Sequence, residues 1–544
     1  MMDYSRIFSG AILAAGLVGV CLGEVPGLTR TKIIAHGWDL MTATPQEILE
    51  NAALFDASGV DGVAVLPKGD HEEIVRCLRQ YAGHRGLRES LLMSNFVPGK
   101  RIAWDDDAGW ATFAEQRGVF ADIARRGGLK GLMLDNEDYP NVQQWRYDDL
   151  KDKMPYEAAT TLARKRGMEV GRAIFAKHPE AVLLFFWTYS EHRPYYTNDC
   201  DPRLEKVRFG DLWVDFLAGL LDSMPSEAKL VDGDESGYFN DAADNDYYKR
   251  AWEQHQGALA LVPPELRDKY KSQLSVSSGI YLDMYVNEPG LWYFGNGPDG
   301  TRVSKFSANI SQGARVATDY LWIYGEKHMI VNWRQDAPHA TVAKSERFAK
   351  VRNEGRHTWE DVLPGFTRSI RAVTDPVELA KEALAADDAA QRAGQMMKNA
   401  WGFWNDEFHQ GLSKTACAHW TEKTDLPPGA QGDVLVASNV VKGCYLNGAT
   451  VLPGKLYAVG GWVKGDGWLN VTWMKEGALT RADRHYTIAF PEPGSGDGWR
   501  YGVTTVVAQP GQDQVAVHAT VSHRPGRGMV TKFADIRVVE IPWK

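Results

Sequence analysis

The stretch Leu129-Lys-Gly-Leu-Met-Leu-Asp-Asn-Glu-Asp-Tyr139 decides how this chain folds. It opens as a short, mostly apolar run and then switches abruptly to three acids, an amide and an aromatic. So brief and so apolar a run fits a strand buried on both faces, as in parallel sheets. A helical pattern, Tyr156–Lys177, follows it. The same pair of signals recurs in both directions along the chain. Strand-like runs are read at Lys32–His36, Gly62–Leu66, Leu91–Phe96, Leu129–Leu134, Val182–Trp187, Lys229–Asp232, Ile280–Tyr285 and Tyr320–Tyr324. Helical patterns are read at Pro45–Ala57, Glu72–Ala82, Trp110–Arg126, Tyr156–Lys177, Leu212–Met224, Asp244–Ala260, Phe306–Ala317 and Val377–Ala390. Eight strands, each followed by a helix, predict an α/β fold: a (β/α)8 TIM barrel over residues 24–390. An open doubly wound sheet alternates in the same way. The count of eight favours closure, and no glycine-rich phosphate loop follows the first strand.

Beyond residue 390 the period changes. Residues 391–408 read as a connecting segment rich in Met and Trp. Short runs at Leu435–Ala437, Leu456–Val463, Leu469–Met474, His485–Ala489, Tyr501–Val507, Gln514–Val521 and Phe533–Val539 are broken by Gly, Pro, Asp and Asn. That pattern predicts an all-β sandwich or jelly roll over residues 409–544. A chain of 544 residues is in any case too long for one core. The net charge of −9, with no basic run, argues against nucleic acid as a partner.

Residues 1–23 carry one arginine, an apolar stretch from Ile7 to Leu22 and small residues near Gly23, which predicts a secretory signal peptide and export. The stretch is too short and Gly-rich for a membrane span, so no membrane insertion is expected. Cys21 leaves a lipoprotein as the alternative, although the bulky Val20 precedes it. Cys417 and Cys444 fall in the same C-terminal region and could pair in an oxidising compartment. Cys77 sits in a helical apolar pattern and reads as a buried thiol.

Function is legible at the strand ends, because catalytic groups of an α/β barrel gather at the C-terminal ends of its strands. Those ends carry Trp38 and Asp39, Asn95, Asp135 with Asn136 and Glu137, Trp187 and Tyr189, Glu235 and Tyr238, Asp283 and Glu288, and Trp322, Tyr324 and Glu326. Paired carboxyl groups on a platform of aromatic rings are what cleavage of a glycosidic bond requires. The chain is also rich in rings, with 19 Trp, 21 Tyr and 19 Phe. Such faces stack on the C–H faces of sugars as readily as they fill cores. Asp135 and Glu137, two apart on an extended strand, point to the same side. The expected mechanism makes Glu137 the acid, its pKa held up by Asp135 and partial burial. Glu326, Glu235 and Glu288, in that order, are the candidates for its partner carboxylate. Asn95, Trp38, Asp39, Trp187, Tyr189, Tyr238 and Trp322 are candidate substrate contacts. The histidines have no zinc-protease spacing, and no metal or cofactor is expected in the barrel. No nucleophile-elbow serine suggests an esterase.

Two resemblances bear on these residues. The stretch Pro453-Gly-Lys-Leu-Tyr-Ala-Val-Gly-Gly-Trp-Val-Lys-Gly465 and the ending Phe533-Ala-Asp-Ile-Arg-Val-Val-Glu540 resemble carbohydrate-binding modules of the family-4 and family-9 type. That likeness implies glycan binding and allows a structural calcium ion, although no acidic cluster there demands one. The Asn136-Glu137 pair at the end of the fourth strand resembles clan-A glycoside hydrolases. It implies Glu137 as acid/base and Asn136 as a contact to a sugar hydroxyl. The same strand is similar to that of family-18 chitinases, keeping the glycine and the last Asp-x-Glu but with Lys130 and Met133 at the first two acidic positions. The chitinase likeness implies substrate-assisted cleavage of an N-acetyl sugar, with Asp135 orienting the acetamide. A non-catalytic glycan-binding protein is the reading from outside enzymology.

Overall fold

The structure, a computed structural model, describes residues 30–139, 142–192, 211–332, 357–390, 402–403, 418–430, 433–438, 442–475, 478–479, 486–488, 498–522 and 530–543. The signal-peptide expectation, and Cys21, Cys200 and Cys417, lie outside them. The chain divides into two compact units. One comprises Thr31–Phe294 and Gln312–Ile370, the other Gly295–Ser311 and the residues from Arg371 onward. Among the described residues no helix is long and apolar enough to cross a membrane.

The first unit is mixed α/β, with a parallel sheet that curls round. Its strands are β1 (Lys32–Gly37), β2 (Gly62–Val65), β3 (Leu91–Asn95), β4 (Gly131–Asp135), β5 (Val182–Phe185), β6 (Lys229–Asp232), β7 (Leu274–Val276), β8 (Gly279–Tyr281) and β9 (Tyr320–Gly325). They lie in the order β7-β6-β5-β4-β3-β2-β1-β9-β8. The two end strands are successive pieces of one segment, separated only by Ser277 and Ser278. The sheet's edges therefore meet in that segment, giving the circuit of an eight-stranded barrel with strand seven in two parts. This corrects the expectation of a single strand at Ile280–Tyr285: the strand starts earlier, and Leu282–Tyr285 is a 3-10 turn.

The break has a visible cause. The Gln254 side chain donates to the Ser277 carbonyl at 2.8 Å and accepts from the Ser277 amide at 3.2 Å. With both backbone groups taken, Ser277 leaves the ladder, and the chain changes partner from β6 to β9. Inward-facing Ile34, Ala64, Met93, Met133, Leu184, Val231 and Trp322 fill the ring as one core. On the outside, the helices Tyr156–Lys177 and Trp213–Ser223 pack against each other through glycines. A Cβ on Gly167 would collide with the Phe216 carbonyl, and one on Gly219 with the Arg164 carbonyl.

The second unit holds two antiparallel sheets face to face. The five-stranded sheet runs Ala418–Glu422, Val434–Ser438, Val530–Ile541, Leu456–Lys464, Trp499–Val507. The other is built on Lys442–Thr450, Gln514–Ser522 and Gly467–Lys475. Alternate residues of both, among them Leu435, Val459, Phe533, Val471, Trp473 and Val517, form the shared core of a sandwich. The helix Pro376–Ala390 belongs to this unit. Its Leu384 lies against the position of Gly460 on the five-stranded sheet.

Replacing Gln254 by Ala should leave the buried Ser277 amide and carbonyl unpaired. Each such group costs about 1–3 kcal/mol, so the barrel unit should show a clearly lower denaturation midpoint in urea. An unchanged midpoint would remove Gln254 from the account of closure.

Candidate active site

Period two along a strand decides which strand-end residues enter the barrel. Met133, Met93, Ile34 and Trp322 face inward, so Asp135, Asn95, His36 and Tyr324 do too, one layer nearer the C-terminal mouth. The parallel register sets Asn95 beside Asp135. The same rule turns Asn136 outward. It is buried, its amide donating to the Trp187 carbonyl at 3.1 Å. Asn136 thus ties the ends of β4 and β5 together.

At the end of β4 the Glu137 amide donates to Asp135 Oδ1 at 3.0 Å, and the Tyr139 hydroxyl donates to Glu137 Oε2. Burial pushes the Asp135 carboxyl from its ordinary 3.8 up to about 7. The amide bond from Glu137 opposes that shift and the Glu137 charge adds to it. Burial thus raises the Asp135 carboxyl, the deeper of the two. Glu235, on the turn after β6, belongs to the same group. Burial and then the charges of Glu235 and Glu137 raise the Tyr238 hydroxyl. The Tyr139 hydroxyl is raised by burial, by its bond to Glu137, and by the charges of Glu137, Asp135 and Glu235.

A second carboxyl group lies at β8 and β9. The Glu326 amide donates to Asp283 Oδ2 at 2.8 Å, and Tyr324 donates to Glu326 Oε1 at 3.3 Å. Trp38 Nε1 in turn donates to the Tyr324 hydroxyl at 2.5 Å. Burial lifts Asp283 to about 7, with the Glu326 amide opposing and the Glu326 charge adding. Glu288, the third candidate, is exposed on the following loop.

Rings floor the space between these groups. The Tyr238 and Tyr324 rings stack at 6.1 Å, and Tyr281 lies 5.2 Å from Tyr238 and 5.5 Å from Tyr324. His36 stacks on Tyr324 at 5.2 Å. Burial depresses its pKa to about 3, so it stays a neutral imidazole, and its Nδ1 has no hydrogen-bond partner among the described residues.

Other expected contacts fall elsewhere. Trp322 is wholly buried beneath this floor, stacked on Phe186 at 5.0 Å with Nε1 donating to the Gly233 carbonyl. Tyr189 is buried against Tyr270 at 5.3 Å, on the outward face. Asp39 is buried and accepts from the Ile330 amide, which anchors the chain beyond β9. Asn95 is exposed, with its Oδ1 taken by the Val97 amide. Trp38 and Trp187 remain partly exposed. Sequence reasoning missed Trp292 and Phe239, exposed rings that touch at 5.4 Å on the loops after β8 and β6. The run Leu291-Trp-Tyr-Phe294 was the available signal. No three His, Cys, Asp or Glu side chains converge as a metal site among the described residues.

No family model and no curated protein matches the sequence. Solved structures resemble parts of it distantly. D-psicose 3-epimerase with D-tagatose, from Clostridium cellulolyticum H10, is 8% identical over 63% of this chain and 96% of that one, with a TM-score of 0.29. A CBM4 structure is 12% identical over 26% of this chain and 86% of that one, TM-score 0.18. The enzymatically active domain of bacteriophage CBA120 tailspike protein 4 is 16% identical over 23% of this chain, TM-score 0.20. This chain spans only 18% of that tailspike.

The raised carboxyls set a pH dependence. A group whose folded pKa lies above its unfolded one contributes stability that is complete below the unfolded value and lost as pH rises through the folded value. For Asp135 and Asp283 that window runs from the ordinary 3.8 to about 7. The melting temperature should therefore fall between pH 5 and pH 8, and the fall should be smaller in Asp135→Asn. Parallel wild-type and mutant profiles would contradict the buried, proton-bearing state.

Proposed function

We propose that this protein is an exported glycoside hydrolase whose proton donor is the Asp135–Glu137 pair. One observation carries the reading. Two carboxyls stand at the end of β4, and burial raises one of them, Asp135, to about 7. A third, Glu235, shares their electrostatic surroundings. Acid and base roles are assigned by environments that push the pKa values of neighbouring acids apart. The pair delivers a proton to the glycosidic oxygen as the bond to the anomeric carbon breaks. Glu235 attacks that carbon or activates the water that does. Glu326, the sequence's first choice as partner, is instead grouped with Asp283, across the tyrosine floor. Export rests on the leader-like residues 1–23.

The adjacent Asp135 and Glu137 also favour a second reading, substrate-assisted cleavage of an N-acetyl sugar in which Asp135 orients the acetamide and no separate nucleophile is used. Reducing-sugar release from a polysaccharide panel that includes chitin decides between them. Under the first reading, Glu137→Gln and Glu235→Gln each lose at least about a hundredfold in rate. Under the second, Glu235→Gln stays active on chitin. Full activity in Glu137→Gln rejects both. No release by the wild type, together with retention on an insoluble glycan, points to a binding protein.

The sandwich has a role in the same proposal. Trp462 and Tyr501 lie 4.7 Å apart, partly exposed, on the outer face of the five-stranded sheet. We assign them to holding polysaccharide. Trp462→Ala in the full chain should weaken depletion onto insoluble glycan by about tenfold, the worth of one stacked ring. Its activity on short soluble substrates should stay unchanged.

A further inference from the structure

Exposed aromatic side chains are unevenly spread over this protein. Four are exposed among the described residues, and three of them, Tyr139 (53%), Phe239 (52%) and Trp292 (54%), lie on the loops after β4, β6 and β8. Trp292 and Phe239 meet edge to face at 77°. Trp292 also reaches the buried Tyr281 at 6.1 Å, and Tyr281 contacts both Tyr238 and Tyr324. The outer rings are thus continuous with the floor between the carboxyl groups, one ring further out.

The Trp292 loop is held in place from beneath. The buried Asn287 donates from Nδ2 to the Trp292 carbonyl at 2.7 Å. Its Oδ1 accepts from Lys327, the neighbour of Glu326. The Phe294 amide donates to the Met284 carbonyl at 2.8 Å. Two touching exposed rings and the adjacent Leu291, on so well-anchored a loop, present a ready-made apolar face to a ligand. Two rings and the adjacent Leu291 fall far short of the ~800 Å² per partner of a stable protein interface. They match the flat C–H face of one pyranose, whose hydroxyls would stay in water or turn toward the acidic interior.

We propose that Trp292, with Phe239, forms a distal sugar-stacking subsite, so that the mouth takes an oligosaccharide rather than a single sugar. This rests on reading the mouth as a glycan-processing site. The subsite holds the unit next to the one at the carboxyl groups, and Asn287 acts as a positioning residue that keeps the ring presented.

The test is calorimetric binding of cellohexaose, xylohexaose and chitohexaose to the full chain, alongside kinetics on the same sugars and on an aryl monoglycoside. Trp292→Ala should raise the Kd and KM for the preferred hexasaccharide at least about tenfold, the worth of one stacked ring. Its kcat/KM on the monoglycoside should be unchanged. Trp292→Phe should recover part of the loss, and Asn287→Ala should reproduce it with the ring still present. Trp292 is exposed, so an unchanged melting temperature confirms that the variant is folded. A hexasaccharide Kd and KM indifferent to Trp292→Ala in an active wild type overturns the subsite alone. Tight binding that depends on Trp292 in a wild type that cleaves nothing keeps the subsite and rejects hydrolysis. Failure of the wild type to bind any of the three overturns the proposal.

Discussion

Closure of the parallel sheet through Ser277 and Ser278 is the constraint on which the barrel depends. A parallel sheet leaves unpaired amides and carbonyls along both edges, and burying such an edge without partners is prohibitive. Here a single segment serves both edges, pairing β6 before the break and β9 after it. Gln254 satisfies both Ser277 backbone groups that the change of partner would otherwise strand. Once the ring is closed, period two forces every inward strand end into one narrow space. His36, Asp135, Tyr281 and Tyr324 meet there although they are far apart in the chain.

That crowding generates the chemistry. Carboxyls placed among tyrosines and a neutral histidine lose hydration, and the cost falls on their charged forms. Two aspartates, Asp135 and Asp283, take the deeper positions and rise to about 7. Each receives the backbone amide of a glutamate, Glu137 or Glu326, that lies nearer the mouth. The arrangement repeats on opposite sides of the tyrosine floor. On each side a buried aspartate, its pKa raised by burial, accepts the backbone amide of a glutamate.

Much of the barrel was legible from residues because parallel strands are apolar on both faces. The runs that became β1 to β6 and β9 stand out for that reason. Strand seven was half missed, since Ser277 and Ser278 interrupt its pattern and only the contact with Gln254 explains them. The candidate site divided in the same way. Asp135 and Glu137 were readable as a pair from their spacing. Asn136 entered the reading through its resemblance to a hydrolase motif, and in the structure its amide is held by the Trp187 carbonyl. Tyr189 and Trp322 sit at strand ends just as Tyr324 does, and nothing local separates a ring packed beneath a floor from one that forms it. Trp292 and Phe239 lie on loops, where periodicity is silent.

The sequence alone determined the order of elements, the change from helical to strand period near residue 390, and the acids and rings at the strand ends. All of these are written in local spacing and composition. Only the tertiary structure decided which acids share surroundings, which carboxyls burial raises and which rings stay in solvent. Those properties depend on desolvation, and the atoms that exclude water from Asp135 or cover Trp322 come from strands far away in the chain.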